Sequence, residues 1–241
     1  MKTRIRQQLS TPGETLRDKQ LHPLRLSLRL AAGLLAVLGF TCAESSSARA
    51  ADPRPTIRVR ATNYTEATAA TVSKAEREAG RLLGEAGLNV VWIDCPVGQS
   101  AAVASDPCQQ PLEPTDIVLR VLPDRARNGV QDSAFGIAVL PVLASVYYEH
   151  AVSLARNDGA EFETPIILGF VMAHEIGHLM LGSNSHSDTG IMQGQWERKQ
   201  VRQIMKGDLH FTAQQSKLIR AEGQTRMSLE ATQLRTPSSV G

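Results

Sequence analysis

The chain has 241 residues but only three cysteines, no CxxC pair and no internal repeat. Without CxxC or Cys-His spacing nothing supports a thiolate-built metal site. Its longest apolar run, "LAAGLLAVLGF" at 30–40, falls well short of the roughly 20 apolar residues that cross a bilayer, so no permanent membrane span is expected. Basic side chains are not gathered into one stretch of a globular region, which leaves no footprint for nucleic acid. The formal charge of +2 is itself uneven, since residues 1–50 hold eight of the 26 Lys and Arg and three of the 24 Asp and Glu. The remaining 191 residues carry 18 basic and 21 acidic groups, a charge of −3.

That asymmetry marks residues 1–50 as a signal peptide with a long n-region. Arg25 and Arg29 precede the apolar run, and "ARA" at 48–50 offers small residues to a signal peptidase, so cleavage is expected after Ala50. Cys42 follows bulky Phe40 and Thr41, a poor context for lipid attachment. The protein is expected to be exported, to the periplasm or the medium. Residues 51–226 are long enough for one domain with a real core, and 227–241 read as a flexible tail. Export also gives Cys95 and Cys108 an oxidising environment, and an even pair in "CPVGQSAAVASDPC" predicts a disulfide worth about 3 kcal/mol.

Along the chain, "TIRVRAT" from Thr56 alternates apolar and polar residues as a half-buried strand does. Residues 65–86 then place Ala69, Val72, Ala75 or Glu76, Ala79, Leu82 and Leu83 near one helical face, with Gly87 as a stop. "LNVVWID" and "DIVLRVL" (116–122) read as buried parallel strands. A short edge strand is expected in "AFGIAVLP" (134–141), where a Gly and a terminal Pro suit an edge. A fifth strand follows near "LASVYY", although "VYYEHAVSLAR" reads equally well as helix. Thr164 and Pro165 signal a helix start, with the thiol-free apolar helix running to Leu181 and leaving at Gly182. A last helix at 211–226 is capped at Thr212.

Within that apolar helix, "HEIGH" places His174 and His178 at i and i+4, so both imidazoles project from one face about one turn apart. The spacing suits two ligands of one tetrahedral zinc. Glu175 cannot point the same way, but it can reach a water at the metal and take its proton. Without a metal the helix would bury two imidazoles and a carboxylate with no evident partners.

Downstream, "GSNSHSDTGIM" supplies His186 and Met192. From His174 to Met192 the chain resembles the metzincin metallopeptidases of the zincin superfamily, whose pattern is HExxHxxGxxH followed by a methionine-bearing turn. This sequence departs from that register, with Gly182 one position late and His186 two positions late. The resemblance implies Zn2+ held by His174, His178 and His186, Glu175 as general base and Met192 as the Met-turn residue. It also implies an α/β (α+β) fold with a twisted mixed sheet of about five strands, an antiparallel edge strand, the active-site helix, the Met-turn and a C-terminal helix. An extended peptide is expected to pair with the edge at Phe135, Gly136, Ile137, Ala138 and Val139.

The expected activity is zinc-dependent hydrolysis of peptide bonds in peptide or protein substrates. Glu197, in "QWERKQVRQIM", is a rival third ligand of the kind that gluzincins place on a later helix, and Asp188 is another. A non-catalytic, zinc-stabilised binding module is the alternative from a different class, although such a module has no use for Glu175. His150 and His210 lack ligand-spaced partners and read as structural or solvated. Tyr147 and Tyr148 read as core or surface residues, and Trp196 as either core or pocket wall. Oligomeric state is not legible.

Overall fold

The structure, a computed structural model, describes residues 53–98, 105–123, 135–157, 159–182 and 185–235. The expected signal peptide and its expected cleavage point lie outside these residues. Strand β1 (Thr56–Asn63) buries Ile57, Val59 and Ala61, as its period-2 pattern predicts. The chain then turns through Asn63, whose side-chain oxygen accepts from the Thr65 N–H and hydroxyl and whose amide donates to the Ala67 carbonyl. These bonds occupy the segment in which a helix was expected to begin. Helix α1 (Ala69–Glu85) therefore starts later, capped by the Thr68 hydroxyl, and buries Val72, Ala75, Glu76, Ala79, Leu82 and Leu83. Both Ala75 and Glu76 lie on the inner face.

Strand β2 (Asn89–Asp94) pairs in parallel with β1 on one side, and β3 (Asp116–Leu122) pairs in parallel on the other. β4 (Gly136–Val139) and β5 (Leu143–Tyr147) form an antiparallel hairpin joined to the sheet through β3 and β5, giving the order β2-β1-β3-β5-β4. This is a mixed α/β fold with a five-stranded sheet and an antiparallel edge at β4. β2 was expected to be buried, but it forms the opposite edge. Among the described residues only β1 flanks it, and Val91 is 43% exposed. The ambiguous segment after "LASV" is both things in succession: β5 ends at Tyr147, which is buried, and helix α2 (Tyr148–Asn157) begins at the next residue.

Helix α3 (Thr164–Leu181) is apolar on every side and buried along most of its length, packed on α1, α2, β4 and β5. Its composition would suit a bilayer, yet 78% of the apolar window is buried inside the fold. Thr164 does not cap it as expected. The hydroxyl instead donates backward to Glu161 O of a preceding 3-10 turn, while Pro165 occupies the first turn as predicted.

After the segment that buries Ile191, Met192 and Trp196 come α4 (Arg198–Lys206) and α5 (Ala213–Arg235). α5 is capped at Thr212, whose hydroxyl accepts from the Gln215 N–H. It continues past Arg226 to Arg235, so residues 227–235 are helix rather than tail. Tertiary contacts account for the extension, because Met227 Sδ meets the Thr56 N–H and Glu230 bonds Arg58 and Thr115. Cys95 and Cys108 are joined by a disulfide, as predicted.

Candidate metal centre

α3 carries His174 and His178 on one face, and the chain leaves it at Gly182, whose φ of 89° is a conformation that favours glycine. His186, eight residues after His178, faces the same point. The potential ligand atoms of His174, His178 and His186 all lie within 4.8 Å of one another, and among the described residues no other group of three or more His, Cys, Asp or Glu side chains is so gathered. Ring centroids are 4.7 Å apart for His174 and His178, 4.8 Å for His178 and His186, and 5.5 Å for His174 and His186. The two shifts in register thus lengthen the connection without taking the third histidine away from the other two.

Hydrogen bonds orient the first two rings. His174 Nδ1 lies 2.8 Å from the Ile191 carbonyl, which can only accept, so the proton sits on Nδ1 and the lone pair on Nε2. His178 Nδ1 meets the Ser185 hydroxyl at 2.8 Å. The two Nε2 atoms then face each other at 3.1 Å. That spacing is met by an N–H···N hydrogen bond, when the Ser185 hydroxyl donates to His178 Nδ1, and also by a metal ion between the two atoms. Two nitrogens bound to one tetrahedral zinc at 2.0–2.1 Å stand about 3.3 Å apart, so the spacing present fits that ion. Burial pushes His174 down to about 3, with the neighbouring histidine charges adding to it and the Ile191 carbonyl opposing it. Burial, followed by the His186 charge, pushes His178 down to about 4. Both rings therefore stay neutral and keep lone pairs to donate at neutral pH.

Glu175 is 3% exposed, and burial pushes its carboxyl up to about 8. Its wall is the start of the edge strand. A Cβ at Gly136 would stand 2.8 Å from Glu175 Cγ and 2.0 Å from Ser145 O, so only glycine lets β4 pass this close. Met192 is buried under the helix, where a Cβ at Gly177 would lie 2.6 Å from its Sδ. The same turn ties back to the histidines through Ile191, whose carbonyl holds His174 and whose N–H donates to His210 O.

The rival ligands lie elsewhere. Glu197 is exposed and caps α4, its carboxylate accepting from the backbone of that helix while Gln200 returns the bond. Asp188 is exposed and outside the histidine group. His210 pairs with Glu85 at 3.0 Å. Of the expected substrate strand, Ile137 and Val139 are exposed on the β4 edge. Phe135 is not on that edge. It is buried, with its ring 5.0 Å from His174, 4.3 Å from Trp196 and 5.3 Å from His150.

Ser185, which orients His178, is the participant sequence reasoning missed, and its only local signal is its place beside His186. Phe135, Gly136 and Trp196 were named from sequence, but in other roles or with the role left open: Phe135 and Trp196 build an aromatic wall against His174, and Gly136 shapes the space around Glu175.

No protein-family model matches the chain, and no curated protein matches it. Among solved structures the chain is similar to an archaemetzincin from Methanopyrus kandleri, with 14% sequence identity and a TM-score of 0.45, covering 70% of this chain and 96% of that one.

Proposed function

We propose that the protein is an exported, metzincin-like zinc endopeptidase, with residues 51–235 as its catalytic domain. The observation that carries this reading is the convergence of three histidines next to one buried glutamate. His174, His178 and His186 would hold the ion, and Met192 would support their turn from beneath. Zinc bound there supplies Lewis acidity, making water a nucleophile near neutral pH and polarising a carbonyl.

The chain's own residues do the rest. Glu175, deprived of solvent, is a stronger proton acceptor than an exposed carboxylate. It takes the proton from the attacking water and passes it to the leaving amine nitrogen. Among the described residues no strand pairs with the outer side of β4, so an extended peptide can add to the sheet as a further strand beside Gly136, which brings its backbone close to Glu175. The aromatic wall of Phe135 and Trp196 excludes water on the inner side of His174.

The test is to measure metal content and cleavage of a mixture of internally quenched peptides by the purified protein and by Glu175→Gln. The expected result is about one zinc per chain in both proteins and cleavage only in the wild type. Zinc in both with cleavage in neither would favour the binding-module reading. No zinc in either would end the proposal. Export is tested separately by sequencing the N-terminus of the protein recovered outside the cytoplasm, where Ala51 is expected.

A further inference from the structure

The three histidines are not held alike. His174 and His178 stand on α3 with Nδ1 bonded to Ile191 O and to the Ser185 hydroxyl, whereas His186 is exposed and its ring has no hydrogen bond among the described residues. A Cβ on Gly194 would lie 3.0 Å from His186 Nδ1, so this ring rests on bare backbone. Whatever fixes its direction therefore acts through the chain on either side of it.

The next residue is anchored three times. The Ser187 N–H donates to Met192 O at 2.8 Å, its hydroxyl donates to Thr189 O at 2.8 Å, and the same oxygen accepts from Gln215 Nε2 at 3.0 Å. The first two bonds close the loop on itself. The third ties it to another element, since Gln215 stands in the first turn of α5, 28 residues away. The far end of the loop is already tied at Ile191, whose N–H donates to His210 O, and Gln215 ties the end that carries His186.

Gln215 is 8% exposed, where an unpaired amide is costly, and both ends of its side chain are used. Oε1 accepts from the Thr212 N–H at 2.9 Å, while the Gln215 N–H donates to the Thr212 hydroxyl at 3.2 Å. A flipped amide would set its own N–H against that of Thr212, so the amide nitrogen has to face Ser187. Ser187 has a single hydroxyl proton, which goes to Thr189, and its oxygen is left to accept.

We infer that Gln215 is a positioning residue for the third ligand: by donating to Ser187 it holds the backbone next to His186 and keeps that imidazole on the point shared by His174 and His178. The inference rests on the reading of the cluster as a zinc site. α3 presets the first two ligands, because a helix fixes residues four apart on one face. His186 has no such frame. A loop ordered before the ion arrives leaves less freedom to be lost on binding, which raises affinity. The same amide that caps α5 supplies that order.

The experiment is competition with a chelator for zinc, run on the wild type, Gln215→Met, Ser187→Ala, the double variant and Glu230→Gln, with a thermal melt of each. Methionine keeps the length of glutamine and suits a helix but cannot donate to Ser187. Glu230→Gln loosens α5 at its other end, where Glu230 bonds Arg58 and Thr115, far from the loop in sequence. Zinc affinity is expected to fall about tenfold in Gln215→Met and at least as much in Ser187→Ala. The double variant should bind no more weakly than Ser187→Ala alone, because Gln215 acts through that hydroxyl. Glu230→Gln should melt earlier than the wild type and bind zinc as tightly.

Should Gln215→Met not fold, Gln215→Glu carries the same test, since it keeps an acceptor for the Thr212 N–H and has no N–H for Ser187. Wild-type affinity in the variant at 215, or losses that add in the double variant, would overturn the inference and leave the zinc reading intact. A wild type that takes up no zinc would end that reading, and this inference with it.

Discussion

Glu175 and Glu76 are two glutamates on two helices that pack against each other, buried to a similar degree and both pushed to about 8. Desolvation is the first cause in each case, so a raised carboxyl does not by itself distinguish a reaction centre from any other buried acid. The neighbours make the difference. Beside Glu175 stand neutral imidazoles with converging lone pairs, a set that accepts a metal ion. Beside Glu76 stands another carboxylate, a set that shares a proton. The first set comes mostly from one helix, and the second is assembled by laying α1 over β2.

The most damaging way to probe the contrast is Glu175→Gln. Peptide cleavage is expected to fall by about 100- to 10,000-fold while bound zinc stays at wild-type level, as loss of a general base requires. Equal cleavage in the variant would move the base elsewhere. His186→Ala acts on the metal instead. Elemental analysis should show most of the zinc lost, a larger effect than the 10- to 100-fold typical when an orienting partner is removed. If zinc is retained, the third ligand is not His186.

Gly136→Ala tests whether β4 must pass so close to Glu175. The added methyl meets a backbone carbonyl and the base itself, so denaturant melts should show a loss of about 1–3 kcal/mol, together with lowered kcat. Normal stability and rate in this variant would mean that the strand has room to move. Ser185→Ala removes only the hydroxyl that meets His178 Nδ1, and zinc competition with a chelator should reveal about tenfold weaker binding.

Glu76→Gln is the mildest and carries the comparison to the other glutamate. Because its folded value of about 8 lies above the ordinary 4.5, the folded protein retains a proton that the unfolded chain releases between those pH values. Its stabilising contribution is complete below pH 4.5 and is lost as pH rises through 8. Glutamine keeps the neutral shape without titrating. Melting temperatures of the variant relative to wild type should therefore climb across that window, and a flat difference would mean that Glu76 ionises normally.

Much of this molecule was legible locally. The strands near residues 56–63 and 116–122 and the helix ending at Leu181 follow from periodicity and punctuation, which act over a few residues. So does the i, i+4 histidine pair. Errors gathered where tertiary context prevails over pattern. β2 looks like an interior strand because its residues are β-branched and apolar, but its burial depends on which strands flank it. α5 runs beyond its periodic stretch because Met227 and Glu230 find partners on β1 and before β3. Thr164 has the right neighbours for a cap, yet the turn before it draws its hydroxyl away.

By itself, then, the sequence determined a helix bearing two histidines and a glutamate, a disulfide, and a mixed sheet edged by a glycine-containing strand. These depend on residue type and short spacing, where the chain's own geometry leaves little freedom. Tertiary structure alone decided that His186 returns to the pair despite its shifted register, that Gly136 lies against Glu175, and that Glu76 meets Asp94. Each joins residues whose separation along the chain says nothing about distance, because only packing of the helices on the sheet sets where they meet.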